Sequence, residues 1–249
     1  MDKQTWNAEQ YQDNASFVAE LGLPVVELLN PQSHESVLDL GCGDGALTEK
    51  IAKAAKEVIA IDSSPSMLEA ARKRGLNAVH MRGDSLSYEN TFDAVFTNAV
   101  LHWITDYDSV IKGVYTALKP KGRFVGEFGG HGNIATLMKA METIASQHEK
   151  IGTFTNPWFF PQADEYKKYL ESNGFMVSYI ELIPRPTLLK TGVKKWLKVF
   201  ANHIISDMSL ELEEDFLSQI EQFVKPVLYS EKDGWFADYV RLRFQANKL

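Results

Sequence analysis

With one cysteine, Cys42, the chain cannot form an internal disulfide, and that scarcity fits a reducing compartment. No uninterrupted apolar run reaches the length of a membrane-spanning helix. The opening Met1-Asp2-Lys3-Gln4-Thr5 lacks an apolar signal core, so the expectation is a soluble cytoplasmic protein. Basic residues are outnumbered, 26 Lys and Arg against 33 Asp and Glu, for a net charge of −7. Phosphate binding needs a basic face, so this balance argues against a nucleic-acid partner. The six histidines (34, 80, 102, 131, 148 and 203) show no metal-ligand spacing, and no metal is expected. Internal repeats and low-complexity tracts are also missing. What remains, 249 residues of which 45% are hydrophobic, suffices for one large core, and a single α/β domain over 1–249 is expected.

Against that background the stretch Val37-Leu38-Asp39-Leu40-Gly41-Cys42-Gly43-Asp44-Gly45 stands out. Ser36–Leu40 is short and apolar, as a buried parallel strand should be, and Ala46–Lys56 then reads as a helix. Glycines where strand meets helix let the backbone turn sharply and let a ligand touch it without Cβ atoms in the way. The helix start adds free N–H donors and a positive dipole end. Together these make a nucleotide or cofactor cradle. A dinucleotide fingerprint is compatible with the glycines, but Asp39 would repel a pyrophosphate. A carboxylate there suits a cationic amino-acid tail, because it attracts both an ammonium and a sulfonium. Cys42 lies inside the cradle, where small-residue packing is its natural role.

Further along, Val58–Ile61 is a second strand ending in Asp62, about 20 residues past the glycines, where α/β nucleotide folds set a carboxylate on ribose hydroxyls. Ser63 follows, then a helix opened by Ser64 and Pro65 and stopped by Gly75, with Met67 in its first turn. Ala78–Arg82 is a third strand, with Gly83-Asp84-Ser85 behind it, and Phe92–Thr97 a fourth. The fourth runs into Asn98-Ala99-Val100-Leu101-His102-Trp103, where an open α/β sheet binds its ligands. A helix is expected over Tyr107–Leu118, a fifth strand over Arg123–Phe128, and a Gly129–Asn133 loop open to substrate. Helices over 133–150 and 163–173, a sixth strand Phe175–Ile183 and a last strand Trp235–Ala246 complete the pattern. Residues 191–230 read as two amphipathic helices; the run Glu211–Asp215 argues against a membrane-surface role for them.

Val37–Gly45 resembles the first motif of class I S-adenosylmethionine (SAM)-dependent methyltransferases. Trp6-Asn7…Tyr11, Asn98-Ala99-x-Leu101-x-Trp103 and the closing Asp233-Gly234…Tyr239-x-Arg241-Leu242-x-Phe244 resemble the trans-aconitate 2-methyltransferase and malonyl-acyl-carrier-protein methyltransferase type. That type has Gln where this chain has His102, and a Met-Pro loop where it has Phe128–His131. The resemblance implies a Rossmann-like seven-stranded sheet in the order 3-2-1-4-5-7-6, with the last strand antiparallel. It implies N-terminal lid helices (1–35), a sheet core (36–190 and 231–249) and a helical cap between strands six and seven (191–230). The cofactor would be SAM, leaving as S-adenosylhomocysteine. Tyr11, Asp39, Gly41, Cys42, Gly43, Asp62, Ser63, Met67, Asp84, Ser85, Asn98 and Ala99 are its expected contacts, with Met67 on the adenine ring and Asp84 on its exocyclic amine. Met67 also reads as core, and Asp84 as a solvated turn residue. The implied activity is methylation of a small molecule, with O-methylation of a carboxylic acid in front. A phenol, amine or quinone-type acceptor, or a non-catalytic SAM-binding regulator, are the alternatives. A carboxylate needs only to be held, for which Arg185, His131 and Tyr11 are candidates. Other acceptors need a base, for which His102 or His131 qualifies. A monomer or homodimer is expected.

Overall fold

The computed structural model describes residues 20–148, 151 and 154–249. Trp6, Tyr11 and most of the expected lid lie outside them. Strand β1 (Ser36–Leu40) stands between β2 (Glu57–Asp62) and β4 (Phe92–Asn98), parallel to both. Its side chains alternate faces and both faces are apolar, as a central parallel strand requires. Val37 packs with Val25 and Leu29 of α1 (Leu23–Leu29) and Ile51 of α2 (Thr48–Ala52), whereas Leu38 packs with Val110 and Ile111 of α4 (Tyr107–Ala117) on the other face. Helix α2 is shorter than the expected Ala46–Lys56: the chain turns through Ala46 and Leu47 before the helix begins.

With α3 (Pro65–Lys73), β3 (Ala78–His80), β5 (Leu118–Gly129), α5 (Ala135–Gln147), α6 (Ala163–Ser172), β6 (Phe175–Pro184) and β10 (Val240–Lys248), the main sheet has seven strands. Their order is β3-β2-β1-β4-β5-β10-β6, with β10 antiparallel to both neighbours. This is the architecture implied by the resemblance. The order reverses between β1 and β4, so the carboxyl ends of those strands open a crevice.

The end of the chain departs from expectation. Trp235–Ala246 is two strands, not one: β9 (Gly234–Ala237) leaves the main sheet and pairs with β7 (Thr187–Leu188) and β8 (Tyr229–Ser230). The break at Asp238 and Tyr239 has a use, because their carbonyls accept from Ile134 and Arg185. Between β7 and β8 run α7 (Gly192–Phe200), α8 (Asn202–Ile205) and α9 (Leu210–Leu228), one helix more than expected. Their apolar faces share a core with α5, in which Trp196, Leu197, Phe216 and Ile220 meet Leu137 and Met141.

Candidate active site

The cleft at the carboxyl ends of β1, β2 and β4 has a volume of about 230 Å³. Its floor is the glycine turn. Gly41 and Cys42 donate to the Ile61 carbonyl at 2.8 and 2.9 Å, anchoring the turn to β2. Two glycines there do different work. A Cβ on Gly41 would lie 2.3 Å from Val100, so that position is set by packing. A Cβ on Gly43 would meet nothing within 4 Å; its backbone (φ +56°) faces the cleft. Asp62 pins the turn, accepting from Gly43 N–H at 3.0 Å and Ser64 N–H at 2.8 Å. Burial raises its pKa even though those donors favour the carboxylate.

Ser63, Met67, Asp84, Asn98 and Ala99 line the same cleft. Ala99 holds a left-handed backbone (φ +59°), its N–H bonded to the Glu127 carbonyl at 2.7 Å. Arg82 grips Asp84 through both carboxylate oxygens and holds its pKa low. Ser85 does not reach the cleft; its hydroxyl donates to Asp84. Two further expected contacts also lie off the cleft wall. Cys42 packs against Ala60, Leu68 and Ala71, and burial drives its thiol pKa up. Asp39 shares the Val37 face of β1, away from the cleft, where Thr48 donates to it at 2.5 Å. With 2% exposure and Asp62 nearby, its pKa is pushed up to about 7.

The far half of the cleft was mostly unforeseen. His102, buried in the short 3-10 turn Leu101–Trp103, accepts through Nδ1 from Gly129 N–H at 3.1 Å. Burial, reinforced by Arg241, lowers its pKa well below the ordinary value. Both effects favour the neutral ring, and a neutral ring that accepts at Nδ1 carries its proton on Nε2, so His102, expected as a base, has its acceptor nitrogen occupied by Gly129 N–H. His131 is exposed and off the cleft; the same loop brings Asn133 and Ile134 to it instead. Nor is the loop open. Added Cβ atoms on Gly129 and Gly130 would meet Phe160 at 2.5 Å and Leu182 at 2.3 Å, so these glycines serve close packing. Arg185 is committed elsewhere, to Glu127 at 2.7 Å and the Leu21 carbonyl at 3.2 Å. The buried cation in the cleft is Arg241, opposite Gly129 in the β10–β5 register and 4.2 Å from the Tyr239 ring centroid. Trp103, Trp158, Phe160, Trp196 and Phe200 complete this half. The run Trp158-Phe159-Phe160, bracketed by Pro157 and Pro161, was the sequence signal for part of it. Among the described residues no group of three His, Cys, Asp or Glu could hold a metal, and no helix is long and apolar enough to cross a membrane.

A seven-stranded sheet, parallel except for β10, with a glycine turn after its first strand and acids at the ends of the second and third defines a class I methyltransferase architecture. A methyltransferase-domain family model matches residues 38–126. An uncharacterized methyltransferase of Schizosaccharomyces pombe is 40% identical over 262 aligned positions, covering 100% of both chains. Trans-aconitate 2-methyltransferase of Rhodococcus jostii is 34% identical over 48% of this chain and 48% of its own. A solved Haemonchus contortus phosphoethanolamine N-methyltransferase, in complex with S-adenosylhomocysteine, shares the fold (TM-score 0.61, 18% identity, 97% of this chain and 56% of that one). The chain belongs to the SAM-dependent methyltransferase family.

Proposed function

We infer that the protein transfers a methyl group from SAM to an oxygen of a small carboxylic acid. The observation that carries this reading is the state of His102. Its Nδ1 accepts from Gly129 and its Nε2 holds the proton, so it cannot take one from an acceptor. The carboxylates of the cleft, Asp62 and Asp84, are held at the cofactor end by backbone N–H groups and by Arg82. Among the described residues, nothing at the acceptor end is placed to remove a proton. A phenol, an amine or a carbon acid would need that help; a carboxylate arrives already ionised.

The cradle fits SAM on its own geometry. The open face of Gly43 admits close backbone contact, and Asp62 stands at the end of β2 where two sugar hydroxyls can donate to it. Met67 offers an apolar surface to the adenine, and Asp84 an acceptor to its amine. Asp39 acts through its field from behind the turn, not by contact. SAM bound in this cradle would supply an electrophilic methyl carbon, and its transfer to a carboxylate oxygen would leave a neutral ester and a neutral thioether. The chain's contribution is to align, hold and keep dry. Alignment of this kind is worth about 7–11 kcal/mol. Arg241 and His102 Nε2–H would hold the carboxylate, and helices α7–α9 would close the chamber as a cap.

His102→Gln tests the reading. A glutamine can accept from Gly129 with its oxygen and donate with its nitrogen, as the neutral imidazole does. Activity within about tenfold of the parent is expected. A fall of roughly 100-fold or more, the scale of a lost general base, would refute the role assigned here.

A further inference from the structure

We propose that Asn133 is an acceptor-binding residue: its side-chain amide nitrogen donates a hydrogen bond to a carboxylate oxygen of the acid being methylated. This rests on the carboxylate reading above and adds a residue to it. Asn133 lines the cleft yet is only 4% exposed. Its Oδ1 accepts from Val240 N–H at 3.0 Å. A backbone N–H can only donate, so the amide oxygen must face Val240, and that fixes which way round the amide sits. Its Nδ2, which can only donate, has no acceptor among the described residues. Nor is it one of the atoms shut away from solvent without a partner, so it opens on the cleft. A donor this deep is costly to leave bare, and an oxygen arriving with the substrate satisfies it.

The fold holds that nitrogen in place. Asn133 N–H donates to the Gly130 carbonyl at 3.0 Å, Gly130 N–H to the Val240 carbonyl at 3.0 Å and Ile134 N–H to the Asp238 carbonyl at 2.9 Å. The loop is thus tied down on both sides of the side chain, and little freedom is left to lose on binding. Gly129 gives the amide its room: a Cβ there would lie 2.8 Å from Asn133 Nδ2. The same glycine donates to His102 Nδ1 at 3.1 Å. Two uncharged donors, Asn133 Nδ2 and His102 Nε2, therefore belong to side chains that adjoin one residue at the acceptor end. A carboxylate brings two oxygens to meet them, whereas a phenol or an amine brings one polar atom. The carboxylate oxygen that takes no methyl becomes the ester carbonyl and still accepts. Asn133 would then hold acid and transition state about equally and act mainly on KM.

The test uses the intact protein, isotope-labelled in its asparagine amides and saturated with S-adenosylhomocysteine, and an acid series: acetate, butyrate, benzoate, succinate and trans-aconitate. Proton–nitrogen correlation spectra follow the Asn133 side-chain amide, whose signal is identified by its loss in Asn133→Asp. An acid that binds should move an Asn133 amide proton downfield, as a new hydrogen bond to oxygen does. Asn133→Asp keeps an oxygen for Val240 N–H but turns the donor into an acceptor. It should weaken that acid about 10- to 100-fold, with the affinity for S-adenosylhomocysteine unchanged. In turnover with SAM the loss should fall on KM more than on kcat. An acid that binds, shown by movement of the Trp103 indole signal, while the Asn133 amide protons stay in place would overturn this inference and leave carboxyl methylation standing. So would an acid that binds Asn133→Asp as tightly as the parent. Failure of every acid in the series to bind would overturn both. If the variant does not fold, the titration of the wild-type asparagine amides decides the matter.

Discussion

Asp39 is 2% exposed, hydrogen-bonded to Thr48, and has a pKa near 7. In the ligand-free protein its pKa is raised from 3.8, so folding favours the protonated carboxyl. The stability tied to that proton is full below about pH 4 and is lost as pH rises through about 7. The ammonium of a bound cofactor tail would favour the carboxylate through space, so affinity for S-adenosylhomocysteine should rise about two- to threefold from pH 5.5 toward pH 7 and level off above it. Calorimetry across pH 5.5–8.5 reads this, and Asp39→Asn should flatten the curve; a curve unchanged by that substitution would sink the assignment. Asp62→Ala removes a charged acceptor worth about 1.5–3 kcal/mol per bond, so cofactor affinity should fall tenfold or more, and because Gly43 and Ser64 N–H lose their acceptor the melting temperature should fall as well. The glycines separate by location. Gly41→Ala collides with Val100 and should lower the melting temperature, whereas Gly43→Ala should weaken the ligand more than the fold. The acid-tipped strand and its glycine turn could be read directly, because they are local in sequence. What could not be read was which way Asp39 points, since that depends on which face of β1 meets α2.

At the scale of elements, β5, β10 and the segment after β6 are joined by one buried carboxylate. Glu127 on β5 is 1% exposed and is held by Arg243 of β10 at 2.7 Å and by Arg185 at 2.7 Å. Arg185 also reaches the Leu21 carbonyl, tying the sheet to the N-terminal side of the chain. Removing the shared acid leaves two guanidiniums facing each other without a counter-charge. Glu127→Ala should therefore cost about 3–5 kcal/mol and lower the melting temperature by roughly 6–20 °C. A loss under about 2 °C in a thermal melt would show the network to be dispensable. This trio commits Arg185 to Glu127, off the cleft wall, which its sequence position concealed. The split of the last strand was hidden for a related reason. Phe236, Tyr239 and Leu242 do not alternate, and the break at Asp238 serves Ile134, a contact between elements about 100 residues apart.

For the whole molecule, the strands were legible as short apolar runs between helices, whereas their order β3-β2-β1-β4-β5-β10-β6 was expected from the resemblance and not from the pattern. The acceptor chamber was not legible. His102, Trp158, Trp196 and Arg241 come from a 3-10 turn, a loop, α7 and β10, so no spacing in the sequence announces them. Only folding brings an uncharged imidazole and one buried arginine into the same aromatic enclosure. The claim built on that enclosure is methyl transfer to an acid without proton removal. Its most direct measurement uses SAM carrying a labelled methyl group with the acid series, followed by mild alkali. The account predicts label released as volatile methanol, the signature of a methyl ester. Label retained in an alkali-stable ether or amine would contradict it.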